Sequence, residues 1–402
     1  MTGYSLKICK KEAIDIRLSF IILLQKRKAS VFLKNIVSAP SFCGPFRTQR
    51  PGAMPADFYI KTLQPWSQKY AMVSGTKPQQ AVLNISDSRP DMNIVIIGAG
   101  AMGCLFGALL APVARVSLYC RRKSLARILR TRGIVIKRLD GRQEQVPVQT
   151  LSELETAPRK TFDYALILTK TQASSEAGRI ARELLRADGL AITLQNGLGN
   201  REHIAAHVGP ERVLVGVTAQ AATLMDAGSV RHTGMGETAL GPADNPQRLH
   251  AFNLVRLFGE AGIPTVIADD PDALLWSKLV VNAAINAVAA LLRVPNGVLA
   301  ESPDCRAIMA QVVAEARAVA EALHIELPDS DPLGHALAIC RQSAGNRCST
   351  LQDVLRGRAS EIEAINGAIV RLGAEHRVPT PVNDTLTRLM HALEATTETR
   401  VV

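Results

Sequence analysis

The chain has 402 residues, 47% hydrophobic and 21% charged, a soluble globular composition with room for two domains and an appendage. Its net charge of +11 would suit nucleic acid or an acidic membrane, but residues 1–91 hold 14 Lys and Arg against 5 Asp and Glu, leaving 33 against 31 for the rest. The folded part is therefore close to neutral, which argues against either surface as a partner. Seven cysteines, an odd number without C-x-x-C or metal-type spacing, point to a reduced, cytoplasmic compartment with no disulfide framework and no metal site.

Residues 1–91 carry Lys/Arg-rich patches, one short apolar run from Leu18 to Leu24 and no sustained period. That run is too short to span a bilayer, and no small-residue cleavage site follows it closely. We expect a basic extension outside the domains, disordered or arising from a start codon assigned upstream of Met92. An organelle transit peptide and a functional arm are the alternatives.

The first domain is expected over residues 92–268. Ile94 to Ile97 is a β-branched apolar run, followed by Gly98-Ala99-Gly100-Ala101-Met102-Gly103 in G-x-G-x-x-G spacing and a small, helix-compatible stretch from Cys104 to Leu110. Between a strand and a helix, such a turn binds a dinucleotide. The first glycine allows the bend, the second lets a pyrophosphate approach, and the third lets the helix pack closely with its N-terminal amides facing the phosphates. A second strand, Arg115 to Cys120, ends in Arg121, Arg122 and Lys123 with no acidic residue. A cationic strand end there suits the 2′-phosphate of NADP rather than the ribose hydroxyl of NAD, although a solvated turn would show the same charges. Strands at Phe162 to Leu168 and Leu190 to Leu194 end at Lys170 and Asn196, where ligands of such folds sit; a surface lysine and a turn asparagine are the plainer reading. The first of these is followed by a helical stretch through Arg186. Val213 to Ala222 and Gly228 to Gly241 read as an antiparallel extension covering the site, with His232 structural.

The second domain, residues 269–395, reads as all-helical. Its opening helix is almost wholly Ala, Val, Leu and Ile, with Lys278, Asn282 and Asn286 recurring at i, i+4 and i+8. A lysine and two amides in one stripe of an apolar helix are costly unless they line a wet cleft; a stripe facing solvent is the alternative. Further on, Asn346 and Ser349 could present an amide and a hydroxyl together, or Ser349 and Thr350 could cap a helix with Gln352 or Asp353 near its third position.

Together these stretches resemble the ketopantoate reductase family (2-dehydropantoate 2-reductases) over residues 92–393. The resemblance rests on the Gly98 to Gly103 turn, Lys170, Gln195-Asn196-Gly197, the Lys278/Asn282/Asn286 helix, Asn346-x-x-Ser349 with Leu351-Gln352-Asp353, and Glu361 with Ile365-Asn366-Gly367. It implies an α/β fold: a Rossmann-type dinucleotide-binding domain, then an all-α domain like the C-terminal domain of 6-phosphogluconate dehydrogenase. The implied reaction is NADPH-dependent reduction of 2-dehydropantoate to (R)-pantoate, on the route to pantothenate and coenzyme A. Lys278 would be the general acid and Glu361 a partner for substrate hydroxyls. Asn282, Asn286, Asn346 and Ser349 would hold the substrate, Lys170 and Asn196 would lie by the nicotinamide, and Arg121 would meet the 2′-phosphate. The partner is then a small 2-oxo acid, without nucleic acid or membrane, and a homodimer is compatible with this reading. Where many members carry Ser-Ser-Met-Leu, this chain has Cys348-Ser349-Thr350-Leu351. Reduction of another branched 2-oxo acid, or a non-catalytic NADP-binding regulator, are the competing functions.

Overall fold

The computed structural model describes residues 92–399, so the expectations for residues 1–91 lie outside it. The described chain opens with β1 (Asn93–Ile97), α1 (Ala101–Leu110), β2 (Arg115–Tyr119) and α2 (Lys123–Arg132). Three short strands follow: β3 (Ile134–Lys137), β4 (Gln143–Val146) and β5 (Gln149–Leu151). Next come β6 (Phe162–Ile167), α3 (Ser174–Leu184), β7 (Leu185–Thr193), α4 (Asn200–Val208) and β8 (Val213–Thr218). The hairpin β9 (Ala221–Asp226) and β10 (Ser229–Gly234) precedes β11 (Thr238–Gly241), α5 (Asn245–Glu260) and β12 (Thr265–Ile267).

Eight strands form one sheet in the order β12-β11-β8-β7-β6-β1-β2-β5, parallel except where β11 meets β8. The apolar runs of its central strands do not alternate with polar residues, because helices cover both faces. Ile94 and Ile96 join a core with Leu105 of α1, Leu129 of α2 and Phe258 of α5, whereas Val95 and Ile97 point the other way, toward Ile180 of α3 and Ile204 of α4. Fully burying each such side chain contributes roughly 1.5–3 kcal/mol. The register aligns the strand ends: Ile97 lies beside Tyr119 and Ile167, and Ile167 beside Thr193. The chain passes from β1 outward to β2 and β5 and then returns to β6 on the other side of β1, which places a crevice over those four ends.

The antiparallel extension expected after Val213 is only partly present. β8 continues the parallel sheet beside β7, and the β9–β10 hairpin joins a separate four-stranded sheet in the order β4-β3-β10-β9. The helix after Lys170 stops at Leu184 rather than Arg186, which lies in β7 and pairs with the Asp163 carboxylate.

After β12 every described element is helical: α6 (Pro271–Leu292), α7 (Asn296–Glu301), α8 (Pro303–Ala322), α9 (Pro332–Gln342), α10 (Ser349–Leu355), α11 (Asn366–His376) and α12 (Pro381–Ala395), with short 3-10 turns. Proline at the first position and the Asp270 carboxylate, which accepts from the amides of Asp272 and Ala273, start α6. Among the described residues α6 is the one helix long and apolar enough to cross a membrane, but its Leu279, Val280, Ala283 and Ala287 form the core of the helical layer. Small side chains along it allow α8, α9 and α10 to pack closely.

Candidate active site

The turn after β1 is shaped by its glycines. Gly98 has φ +111°, and a Cβ there would lie 2.9 Å from the Leu168 carbonyl. A Cβ at Gly103 would lie 1.8 Å from the Gly98 oxygen, so α1 is pressed against the turn. At Gly100 the same atom would meet nothing within 4 Å. Gly100 also begins α1 without any side-chain cap, which leaves the first amides, those of Ala101, Met102 and Gly103, free to face a ligand beside Ala99. An open cradle, uncapped amides and the strand-end crevice fit a dinucleotide pyrophosphate.

Arg121 stands just past the end of β2, exposed and without a hydrogen bond or ion pair to any described residue. The cationic cluster is smaller than the sequence suggests. Lys123 is engaged by the Glu153 carboxylate, so Arg121 and Arg122 remain for a phosphate.

Lys170, at the end of β6, reaches across to the helical layer. Its Nζ donates to Asp353 Oδ2 at 2.6 Å and to Glu361 Oε2 at 3.3 Å. Asn196 Nδ2 donates to Glu361 Oε2 at 3.3 Å, and the Thr171 amide and hydroxyl both donate to Oε1 at 3.2 Å. The lysine side chain stays 44% accessible whereas those of Asp353 and Glu361 keep 8% and 5%, so Lys170 is the cation in direct contact with both of these desolvated carboxylates. Burial works against the Lys170 ammonium, but Glu361 and Asp353 outweigh it and hold its pKa above the usual lysine range. Burial pushes the Asp353 carboxyl up, with Lys170 pulling against it. Close approach tightens the junction: Leu198 N–H donates to the Ala364 carbonyl at 2.9 Å, and a Cβ at Gly197 would lie 2.4 Å from that oxygen. A cavity of about 250 Å³ opens here between Thr171, Gln172, Glu361 and Ala364; Lys278 is not among its walls.

Lys278, on α6, is partly buried and donates from Nζ to the Thr218 carbonyl at the end of β8, at 2.9 Å. Burial pulls its pKa down to about 8, against the pull of the Glu361 charge. The stripe it heads is turned away from bulk solvent: Asn282 is partly buried and Asn286 is 6% exposed. Neither amide side chain has a hydrogen-bond partner among the described residues, which leaves both available to a ligand. Cys348 Sγ donates to the Asn286 carbonyl at 3.6 Å and so brings the start of α10 to the same helix.

Ser349 is the first residue of α10, partly buried with its hydroxyl unengaged. Neither Ser349 nor Thr350 caps the helix; that acceptor is Cys348 Sγ, 3.4 Å from the Leu351 amide. Asn346 is exposed, and its contacts are made by the backbone, its carbonyl accepting from the Asn296 amide at 3.0 Å. The structure thus joins Lys170, Asn196 and Glu361 directly and sets Lys278, Asn282, Asn286 and Ser349 around one helix, while the Asn346 side chain stands apart.

Two participants escaped the sequence and the role of a third did. Asp353, the nearest partner of Lys170, enters there only as part of Leu351-Gln352-Asp353 and as a residue near a helix start, without a role in the site. Thr171 adjoins a marked lysine but carries no pattern of its own. The Thr218 carbonyl is backbone, which no side-chain pattern reveals.

Residues 94–245 match the family profile "Ketopantoate reductase PanE/ApbA", and residues 270–394 match "Ketopantoate reductase PanE/ApbA C terminal". A 2-dehydropantoate 2-reductase of Halobacterium salinarum is 33% identical over 303 residues, 74% of this chain and 98% of the relative. A PanE/ApbA family ketopantoate reductase structure from Ralstonia eutropha superposes with TM-score 0.69 at 31% identity, covering 76% of this chain and all of the other. D-Mandelate dehydrogenase, solved with NADH and anilino(oxo)acetate, superposes with TM-score 0.71 at 26% identity, covering 77% of this chain and all of the other.

Proposed function

The chain belongs to the ketopantoate reductase family, as an oxidoreductase acting on a CH–OH group, and from that premise we propose that it reduces 2-dehydropantoate to (R)-pantoate with NADPH, toward pantothenate and coenzyme A. The observation that carries the reading is Lys278, a desolvated ammonium with a pKa near 8 at the head of a stripe of unengaged amides.

The cofactor would be held by Gly98, Ala99, Gly100, Ala101, Met102 and Gly103 at its pyrophosphate, by Arg121 at its 2′-phosphate, and near its nicotinamide by Lys170 and Asn196. When bound, it supplies the hydride that reduces the 2-oxo carbonyl carbon. Lys278 stabilises the charge growing on the carbonyl oxygen and delivers the proton that completes the hydroxyl. Asn282, Asn286 and Ser349 orient the substrate through their free polar groups, while the exposed Asn346 side chain lies apart from them. Glu361, already accepting from Asn196 and Thr171, receives a substrate hydroxyl. We take the partner to be this small molecule, in the cytoplasm, rather than nucleic acid or a membrane, because the sequence after residue 91 is nearly neutral.

Reduction of a different 2-oxo acid is the second reading, favoured by the similarity to a dehydrogenase of mandelate. Initial rates for a panel of branched and aromatic 2-oxo acids with NADPH separate the two. The proposal expects the highest kcat/KM for 2-dehydropantoate, and a better aromatic substrate would replace it with the second reading.

A further inference from the structure

The carbonyl that receives Lys278 belongs to a buried polar network with no part in the reaction as described. Thr218, Gln220 and His232 are 6%, 6% and 5% exposed, and Thr238 is fully buried. Four buried polar side chains close together are costly unless each is satisfied, and here each is. Thr218 Oγ1 lies 2.8 Å from Thr238 Oγ1 and accepts from the Gln220 backbone N–H at 3.2 Å, so the Gln220 side chain, held by His232 and Gly236, acts on Thr218 through its own backbone. Gln220 Nε2 donates to the Gly236 carbonyl at 2.6 Å, which turns its Oε1 toward His232 Nε2, 2.9 Å away.

The same imidazole nitrogen lies 3.1 Å from the Gly234 carbonyl. Both neighbours are acceptors, so Nε2 carries the proton. Burial lowers the His232 pKa, the Gly234 carbonyl pulls the other way, and Arg138 adds to the lowering, so the fold favours the neutral ring. His232 sits on β10 of the small sheet and Thr218 ends β8 of the large one, so the network spans both sheets at the point where Lys278 docks. The strands are pressed together there: Ala219 N–H donates to the Glu237 carbonyl at 2.8 Å, and a Cβ at Gly236 would lie 2.5 Å from that of Ala219.

We propose that His232 and Gln220 are positioning residues for Lys278, holding the Thr218 carbonyl where it accepts from the lysine Nζ and so fixing the ammonium in the cleft. This rests on Lys278 being the proton donor. A lysine has four rotatable side-chain bonds, and a misplacement of about 1 Å can cost roughly a hundredfold in rate.

The test compares His232→Phe, which fills the ring volume without an N–H, Gln220→Met, which keeps length without polar groups, and His232→Gln, which restores a donor. Each is assayed for kcat, KM, the pH dependence of kcat/KM and Tm, beside Lys278→Ala. His232→Phe and Gln220→Met should lose roughly tenfold to a hundredfold in kcat with KM within about twofold of the parent. Their activity should also decline at a lower pH, because the ammonium loses a fixed acceptor. His232→Gln should recover most of both. Parent-like kcat and pH profile in His232→Phe and Gln220→Met, with Lys278→Ala inactive, would overturn the inference alone. So would a loss of kcat that follows Tm while the pH profile stays put and His232→Gln gives no rescue. If His232→Phe does not fold, Gln220→Met decides by the same readouts. An active Lys278→Ala would instead remove the reading on which the inference rests.

Discussion

Lys278 is charged at a cost, and the sign of that cost is testable. Its pKa falls from 10.5 to about 8 in the fold, so between those values the unfolded chain binds the extra proton. Folding stability should therefore rise with pH across that window, and at pH 7 Lys278→Met should keep or raise Tm while losing activity. Reductive turnover needs the protonated acid and should decline as pH passes about 8, read from kcat/KM against pH. A flat profile through pH 9 would detach the lysine from proton transfer. Arg121 makes the second prediction at this scale, since its guanidinium is exposed and makes no hydrogen bond or ion pair among the described residues, with only the Glu176 charge acting on it from a distance. A charge-assisted phosphate contact contributes about 1.5–3 kcal/mol, so Arg121→Ala should raise KM for NADPH roughly tenfold or more and leave NADH nearly unchanged. Equal use of both cofactors by the parent would defeat this assignment.

Gly100 and Gly103, three residues apart, should behave oppositely when replaced by alanine. At Gly103 the new Cβ would fall 1.8 Å from backbone, so α1 must move off β1 at a cost of at least about 1–3 kcal/mol, visible as lost Tm. At Gly100 the Cβ would enter open space, so Tm should hold while cofactor affinity, read by fluorescence titration, falls. Unchanged affinity in Gly100→Ala would place the pyrophosphate elsewhere. This element was legible in the sequence because glycine spacing between an apolar strand and a helix is local information. β3, β4 and β5 were not: β4 (Gln143–Val146) and β5 (Gln149–Leu151) hold one apolar residue each, and the apolar run of β3 (Ile134–Lys137) is too short to show a period. The placement of β9 and β10 in a second sheet is a matter of long-range pairing, which a strand pattern does not encode.

Among the described residues, the part of the candidate site around Lys170 lies where the two layers meet. Lys170, Asn196 and Thr171 come from strand ends of the sheet, while Asp353 and Glu361 come from the helical layer more than 150 residues along. The sequence showed the lysine stripe because helical spacing repeats it. It could not show that Asp353 rather than Glu361 lies nearest Lys170, nor that Asn346 faces outward, because both depend on how distant segments dock. The relatives are covered almost end to end by about three-quarters of this chain. A protein beginning at Met92 should therefore fold and keep parent kcat and KM, and loss of turnover on that truncation would give residues 1–91 a role in the enzyme.

The central claim is that Lys278 protonates the substrate oxygen, and single-turnover reduction of 2-dehydropantoate by bound NADPH tests it most directly, with cofactor titration of the same protein alongside. Removing a positioned general acid costs about 10²–10⁴-fold, so Lys278→Ala should slow the step by at least roughly a hundredfold while NADPH binding stays near normal. Lys278→Arg should recover little, because a guanidinium keeps the charge but donates a proton poorly near neutral pH. Parent-like single-turnover reduction in Lys278→Ala would contradict the account.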